Sequence, residues 1–244
     1  ILATLGWATV PVIRRPRVAI LGTGDEVVDV GESLQPGKIR SSNSYLLEAA
    51  VQQAGAEAHR LGVARDTVES LREKFSEAVT YDLILTSGGV SVGDFDLVKK
   101  IMQEQGNIDF WRINMRPGKP VAFGYIGEVP LLGLPGNPVS TAVTFELFGR
   151  PLIRKMLGHL RLLKPQVEVL VEDGVGDRAM RRHYVRAHVT WQDGRFIAQT
   201  TGNQGSNVMT SLLNANAFVI VPEGGVVIHP GDTAKAIMLD WPEM

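Results

Sequence analysis

Residues 82–96 read Asp-Leu-Ile-Leu-Thr-Ser-Gly-Gly-Val-Ser-Val-Gly-Asp-Phe-Asp. Asp82–Thr86 is a short continuous apolar run, the pattern of a strand buried on both faces. A Gly-rich turn follows it, and Asp94 and Asp96 flank Phe95, where a helix predicted to about Gln105 begins. Strand, glycine turn and helix in that order form the repeating unit of an open α/β sheet. Ligands of such sheets gather beyond the carboxyl ends of the strands.

The unit recurs on both sides. Arg17–Gly22 is another buried run, ending in Gly22-Thr23-Gly24-Asp25-Glu26. Ser42-Asn43 caps a helix whose residues Leu46, Leu47, Ala50, Val51 and Ala54 share one face, and Gly55 ends it. Ala56–Val63 reads as a strand, and Asp66-Thr67-Val68-Glu69 as a capping box opening a helix to about Val79. Phe110–Ile113, Val121–Ile126 and Val129–Leu134 read as strands, the last two joined at Gly127-Glu128. Gly133-Leu134-Pro135-Gly136-Asn137-Pro138 then opens a helix running to Leu157, with Gly158 behind it. The expected fold is a parallel-type, three-layer α/β domain with helices on both faces of the sheet.

After Gly158 the pattern changes to strands without helices: Val167–Val171, Tyr184–Trp191, Arg195–Thr201, Ala217–Val221 and Ala234–Leu239, with Asp193-Gly194 a hairpin signal. The expected division is an α/β domain over 17–160 and a small all-β domain over 161–244. Residues 1–16, with Pro11 and Pro16, read as an extended connector, a strand left over from a preceding domain. The chain opens Ile1-Leu2-Ala3 and reads as a piece of something longer.

Composition narrows the classes. With 244 residues, 44% hydrophobic and 21% charged, the chain is ordinary for a globular protein. A formal net charge of -1 gives no pull toward nucleic acid or an anionic membrane, and no apolar run is long enough to span a bilayer. The absence of cysteine excludes disulfides, thiolate catalysis and Cys-ligated zinc, and fits a cytoplasmic setting.

Three glycine turns from separate strands, two of them carrying carboxylates, read as one site. Glycine lets a ligand approach the backbone and leaves N–H groups for anions. Gly22–Glu26 lacks the third glycine and the immediate helix of a dinucleotide fingerprint. A plain turn would need its glycines but not Asp25-Glu26. Asp66 taken alone is best read as a helix cap. Oxygen ligands such as Glu26 and Asp96 at strand ends suit magnesium held partly by substrate phosphate. Arg112, Arg116 and Lys119 could be a solvated edge, but Arg116-Pro117-Gly118-Lys119-Pro120 displays its cations on a stiff turn, which suits an oxyanion. The helix opening at Pro138 presents N–H groups to an anion. The five histidines show no metal or triad spacing, and the Met and Trp residues read as packing.

Taken together, Gly22–Glu26, Asp82–Asp96, Arg116–Phe123 and Gly133–Ser140, continued by Thr201–Ser206 and Asn214–Val221, resemble the molybdopterin molybdotransferases, the family that includes the gephyrin E domain. The resemblance implies binding of adenylylated molybdopterin, cleavage of its phosphoanhydride, release of AMP and insertion of molybdenum from molybdate. It implies that Glu26, Asp66 and Asp96 are the acidic catalytic residues, with Glu26 and Asp96 toward magnesium. Thr23, Gly24, Asp25, Ser87, Gly88, Gly89, Ser91, Gly93, Asp94, Arg112, Arg116, Lys119, Pro135, Gly136, Asn137 and Pro138 fall on its substrate-binding motifs. Ser206 and an arginine among Arg181–Arg186, Arg181 or Arg186, match positions associated with molybdate, although the sequence around that arginine departs from the family's glycine-arginine pattern. It also implies a homodimer built through a domain that precedes this chain. Two alternatives compete: a molybdopterin adenylyltransferase, which shares the α/β part, and a non-catalytic scaffold that binds a peptide. The appended β part and Gly133–Ser140 favour the molybdotransferase, and retention of three acids favours an enzyme.

Overall fold

A computed structural model describes residues 1–89, 104, 106–176 and 180–242. The first part contains β1 (Arg17–Thr23), β2 (Val27–Val28), β3 (Ile39–Arg40), α1 (Ser42–Ala54), β4 (Glu57–Ala64), α2 (Val68–Ala78) and β5 (Leu83–Ser87). It continues with β6 (Gly106–Arg112), β7 (Met115–Arg116), β8 (Pro120–Ile126), β9 (Val129–Leu134), α3 (Pro138–Thr144) and α4 (Arg150–Met156). The helix expected over 95–105 lies outside the described residues apart from Glu104.

Six strands pair in the order β4-β1-β5-β9-β8-β6. β4, β1, β5 and β9 run parallel, and β8 is antiparallel to both neighbours, so the sheet is mixed. The reversal follows from the two-residue link Gly127-Glu128, which can join only antiparallel strands. Side-chain alternation along β1 explains the unbroken apolar run. Val18 and Ile20 pack with Leu47 and Val51 of α1 and Ile153 of α4, while Ala19 and Leu21 pack with Leu71 and Phe75 of α2 on the other face. These are the three expected layers.

The helix expected over 138–157 is not uniform. Phe145–Gly149 forms a π turn between α3 and α4, in which the Arg150 N–H bonds the Phe145 carbonyl five residues back. Pro151 supplies the reason. It has no N–H, and in a regular helix its ring would clash with the carbonyl four residues earlier, so the turn widens.

The second part comprises β10 (Gln166–Val171), β11 (Val175–Gly176), β12 (Arg182–Gln192), β13 (Arg195–Thr200), α5 (Thr210–Leu213), β14 (Ala217–Val221), β15 (Val227–Ile228) and β16 (Thr233–Met238). Its main sheet runs β13-β10-β16-β14-β12, and β12 also pairs with β13, closing a small barrel around Val169, Val185, Val189, Val219 and Ala236. The short pair β11–β15 and the single turn α5 had no clear mark in the sequence. The barrel also borrows from the first part, since β7 pairs parallel with β12, Met115 opposite Arg182 and Arg116 opposite His183. Met115, Val139 and Val143 pack on Phe218 and Ile237, so apolar burial joins the two parts.

Residues 1–16 form no helix or strand. Arg14 pairs with Asp82 at the start of β5, and Ile13 rests against Gly158. All four tryptophans, Trp7, Trp111, Trp191 and Trp241, are 40% or more exposed, against the packing role expected of them. Trp191 packs edgewise on Phe196, which rests against the barrel core, with Trp241 beside it.

Candidate active site

Parallel pairing places the ends of β1, β5 and β9 side by side: Gly22 lies opposite Ser87, and Ser87 opposite Leu134. The turns that follow therefore touch. The Gly88 N–H donates to the Leu134 carbonyl at 3.1 Å. Gly88 has φ 93°, and a Cβ there would sit 2.9 Å from the Thr23 carbonyl oxygen, so a side chain would force two turns apart. From α1, Asn43 Nδ2 donates to Ser87 Oγ at 2.8 Å and to the Gly136 carbonyl at 2.7 Å.

A cleft of about 990 Å³ opens above these turns. Its floor includes Thr23, Ser87, Gly88, Pro135, Gly136, Asn137 and Pro138, with Ser41–Ser44 on one side. Arg116, Pro117, Gly118 and Lys119 form another wall, and the barrel contributes Arg181 and residues 204–207 with Met209. The barrel loop is fastened to the floor. The Val139 N–H donates to the Ser206 carbonyl at 3.1 Å, and Asn137 Nδ2 to Ser206 Oγ at 3.1 Å. This alters the reading of the helix opening at Pro138, because one N–H expected to face an anion holds the barrel loop instead.

The acids separate into two groups. Glu26 is exposed and lines the cleft, its carboxylate folded back against Gly24. Asp25 and Asp66 bind each other's backbone: the Asp66 N–H donates to Asp25 Oδ1 at 3.1 Å and the Asp25 N–H to Asp66 Oδ2 at 3.4 Å. This reciprocal pair ties the turn after β1 to the turn after β4, and Asp66 is not among the lining residues. Nor does Asp66 cap α2. Thr67 is the N-cap, accepting from the Ser70 N–H at 3.3 Å. Arg112 lies exposed at the end of β6, opposite the lining residue Pro120 but not itself among the lining residues. Gly89 continues the turn after Gly88 with φ 68°. Ser91, Gly93, Asp94 and Asp96 lie outside the described residues.

Arg186 sits beneath the barrel loop with no exposed surface. Its Nε donates to Ser211 Oγ at 3.2 Å and Nη2 to the Gly205 carbonyl at 3.3 Å. Gln204 clamps its backbone from both sides, accepting from the Arg186 N–H at 2.9 Å and donating to its carbonyl at 3.1 Å. Among the described residues Nη1 has no hydrogen-bond partner and the guanidinium no carboxylate. Burial, and next the charge of Arg116, lower its pKa to about 10. A buried cation held among neutral acceptors is suited to receive an anion. Sequence reasoning passed over Asn43, read only as a cap, and Gln204, whose signal was its place inside Thr201–Ser206.

Comparison with known proteins gives a family match over each part of the chain. The model of the probable molybdopterin binding domain matches residues 19–155, and that of the MoeA C-terminal region (domain IV) matches residues 171–239. Molybdopterin molybdenumtransferase of Bacillus subtilis is 37% identical, covering 99% of this chain and 58% of its own. Gephyrin of Dictyostelium discoideum is 34% identical over 98% of this chain and 38% of its own. The crystal structure of the molybdopterin biosynthesis moeA protein of Pyrococcus horikoshii superposes with a TM-score of 0.83 at 31% identity, covering 98% of this chain and 58% of that one. The chain thus spans under three fifths of the B. subtilis and P. horikoshii relatives. It belongs to the molybdopterin-binding family, in the branch where that domain is followed by the MoeA C-terminal region and whose named relatives include molybdopterin molybdenumtransferases and gephyrin.

Proposed function

We propose that the cleft binds adenylylated molybdopterin together with molybdate, and that the whole protein inserts molybdenum into the dithiolene with release of AMP. The observation that carries this reading is the charge around the cleft. Arg40, Arg116, Lys119 and Arg181 line it against one described acid, Glu26, and Arg186 lies buried without a carboxylate partner among the described residues. Such an excess of cations suits a substrate with several negative charges. Cleaving a phosphoanhydride adds negative charge to the departing groups, and Arg116 and Lys119 on their stiff turn can stabilise it without reorganising. Ser206, which lines the cleft, with Arg181 beside it or the buried Arg186 behind the barrel loop, is the place for molybdate. Arg112 and Asp66 act from outside the lining, Asp66 by holding the turn that carries Asp25 and Glu26.

Glu26 also fits a role toward magnesium. It offers one hard oxygen ligand beside the site of a phosphate-rich substrate, and this ion needs one or two carboxylates when phosphates supply the rest. Asp96 would be the second. When bound, the ion would neutralise phosphoanhydride charge. Among the described residues no three acids or histidines converge, so substrate oxygens would complete the shell.

The whole protein is read as a cytoplasmic homodimer. Leu2, Leu5, Trp7 and Val12 are more than half or about half exposed, which supports a partner surface for 1–16. Residues 17–160 and 161–244 are read as the molybdopterin-binding and β units. No described helix is long and apolar enough to cross a membrane. The test is single-turnover AMP release by the whole protein, with sedimentation alongside. Release that depends on molybdate is expected. Consumption of ATP to adenylylate molybdopterin would favour the adenylyltransferase reading instead.

A further inference from the structure

Asn43 holds an unusual place in the cleft. Both hydrogens of its amide are committed, one to Ser87 Oγ and one to the Gly136 carbonyl. A carbonyl can only accept, so the Gly136 bond fixes which end of the amide faces the turns. Ser87 Oγ therefore receives a hydrogen bond from Asn43, and its own proton must point elsewhere. Ser87 is 6% exposed and lines the cleft, and among the described residues Asn43 is the partner of its hydroxyl.

We propose that Asn43 is a positioning residue that turns the Ser87 hydroxyl into a donor aimed at an oxyanion of the substrate. The inference rests on the reading of the cleft given above. The polarity is the point. If residue 43 offered an acceptor, Ser87 would donate to it and present lone pairs to the cleft, repelling phosphate or molybdate oxygen. With an obligate donor at 43, the hydroxyl supplies a neutral donor between the cations of the Arg116–Lys119 turn and the turn at Gly136. The Gly136 bond keeps the amide from flipping, so the polarity does not depend on the ligand being present.

The experiment uses the whole protein and AMP as the binding probe, with molybdate-dependent AMP release as the second readout. Asn43→Ala, Ser87→Ala and the double variant are compared with wild type, and thermal melting reports folding. Each single variant is expected to weaken AMP binding about tenfold and to raise KM more than it lowers kcat, as for a lost hydrogen bond to a charged group. The double variant should bind no worse than Ser87→Ala alone, because Asn43 acts through that hydroxyl. A structural tie would give effects that multiply instead. Asn43→Asp, close to isosteric, is the second probe should the alanine variant misfold, and it should bind weaker still. Folded Asn43→Ala that binds AMP as wild type does, or effects that multiply, would overturn the proposal. Wild type that neither binds AMP nor releases it would overturn the cleft reading, and this inference with it.

Discussion

Arg186 and the group Glu146, Arg150 and Lys164 are both buried charge, and they are managed in opposite ways. In the group, a carboxylate on the π turn stands 3.6 Å from Arg150 Nε and 4.0 Å from Lys164 Nζ. The cations bond backbone in turn, Arg150 to the Leu162 carbonyl and Lys164 to that of Leu239. The three side chains are 13–17% exposed, and the cluster pins the linker and the end of the barrel to the helix. Burial raises the pKa of Glu146 and lowers those of Arg150 and Lys164, so desolvation outweighs their mutual attraction. Arg186 is buried more deeply still, without the acid. A charge neutralised inside the chain holds parts together, whereas Arg186, beneath the barrel loop and outside the cleft lining, keeps its charge without a carboxylate among the described residues.

Replacing Arg186 tests the contrast most severely. Arg186→Met in the whole protein should reduce molybdate-dependent AMP release by at least ~100-fold, the scale seen when a preorganised oxyanion donor is lost. Its melting temperature should stay level or rise. The sign follows from the lowered pKa: the unfolded state holds this proton more tightly, so the charge disfavours folding at neutral pH, and stability increases as pH passes about 10. A large loss of stability in this variant would show that the arginine is structural after all.

The neutralised group should respond the other way. Glu146→Leu leaves two cations facing each other and should cost about 3 kcal/mol in denaturant unfolding, whereas Glu146→Leu with Lys164→Met should recover most of it. Additive losses would mean that the cluster is not a coupled unit. The pH dependence is smaller. A carboxylate whose folded pKa is raised favours folding at low pH, and that advantage disappears as pH climbs from about 4.5 through the displaced value. The stability difference between wild type and Glu146→Gln should therefore shift against wild type over that interval. The smallest effect is expected at the surface. Arg14 is 71% exposed in its pair with Asp82, so Arg14→Ala should change stability by no more than ~1 kcal/mol, and less at high salt.

Apolar runs carried most of the fold in the sequence, because β1, β5 and β9 are buried on both faces and glycine turns mark their ends. The reversal of β8 was implicit in Gly127-Glu128, although a count of strands and helices suggested a mostly parallel sheet. The π turn was not legible: Pro151 marks a disturbance but does not say whether the helix breaks, kinks or widens. Site residues were legible where they sit on turns. Asp66 shows the limit. A local pattern suggested a cap, and the position next to it, Thr67, has the hydroxyl that reaches the Ser70 N–H. Closure of the barrel and the pairing of β7 with β12 depend on contacts between distant residues, for which a single sequence has no local mark.

The π turn at Phe145–Gly149 amounts to one residue more than a regular helix needs over the same path. One residue turns a helix by about 100°, so every side chain after it faces a direction that the residues before it would not foretell. Val139 and Val143 upstream face the barrel contact, whereas Ile153 downstream enters the sheet core beside Leu47. A chain shortened by one residue here could not satisfy both surfaces. The turn thus behaves like a gear tooth that sets the phase between two parts, and insertions or deletions anywhere between Val143 and Ile153 should be poorly tolerated.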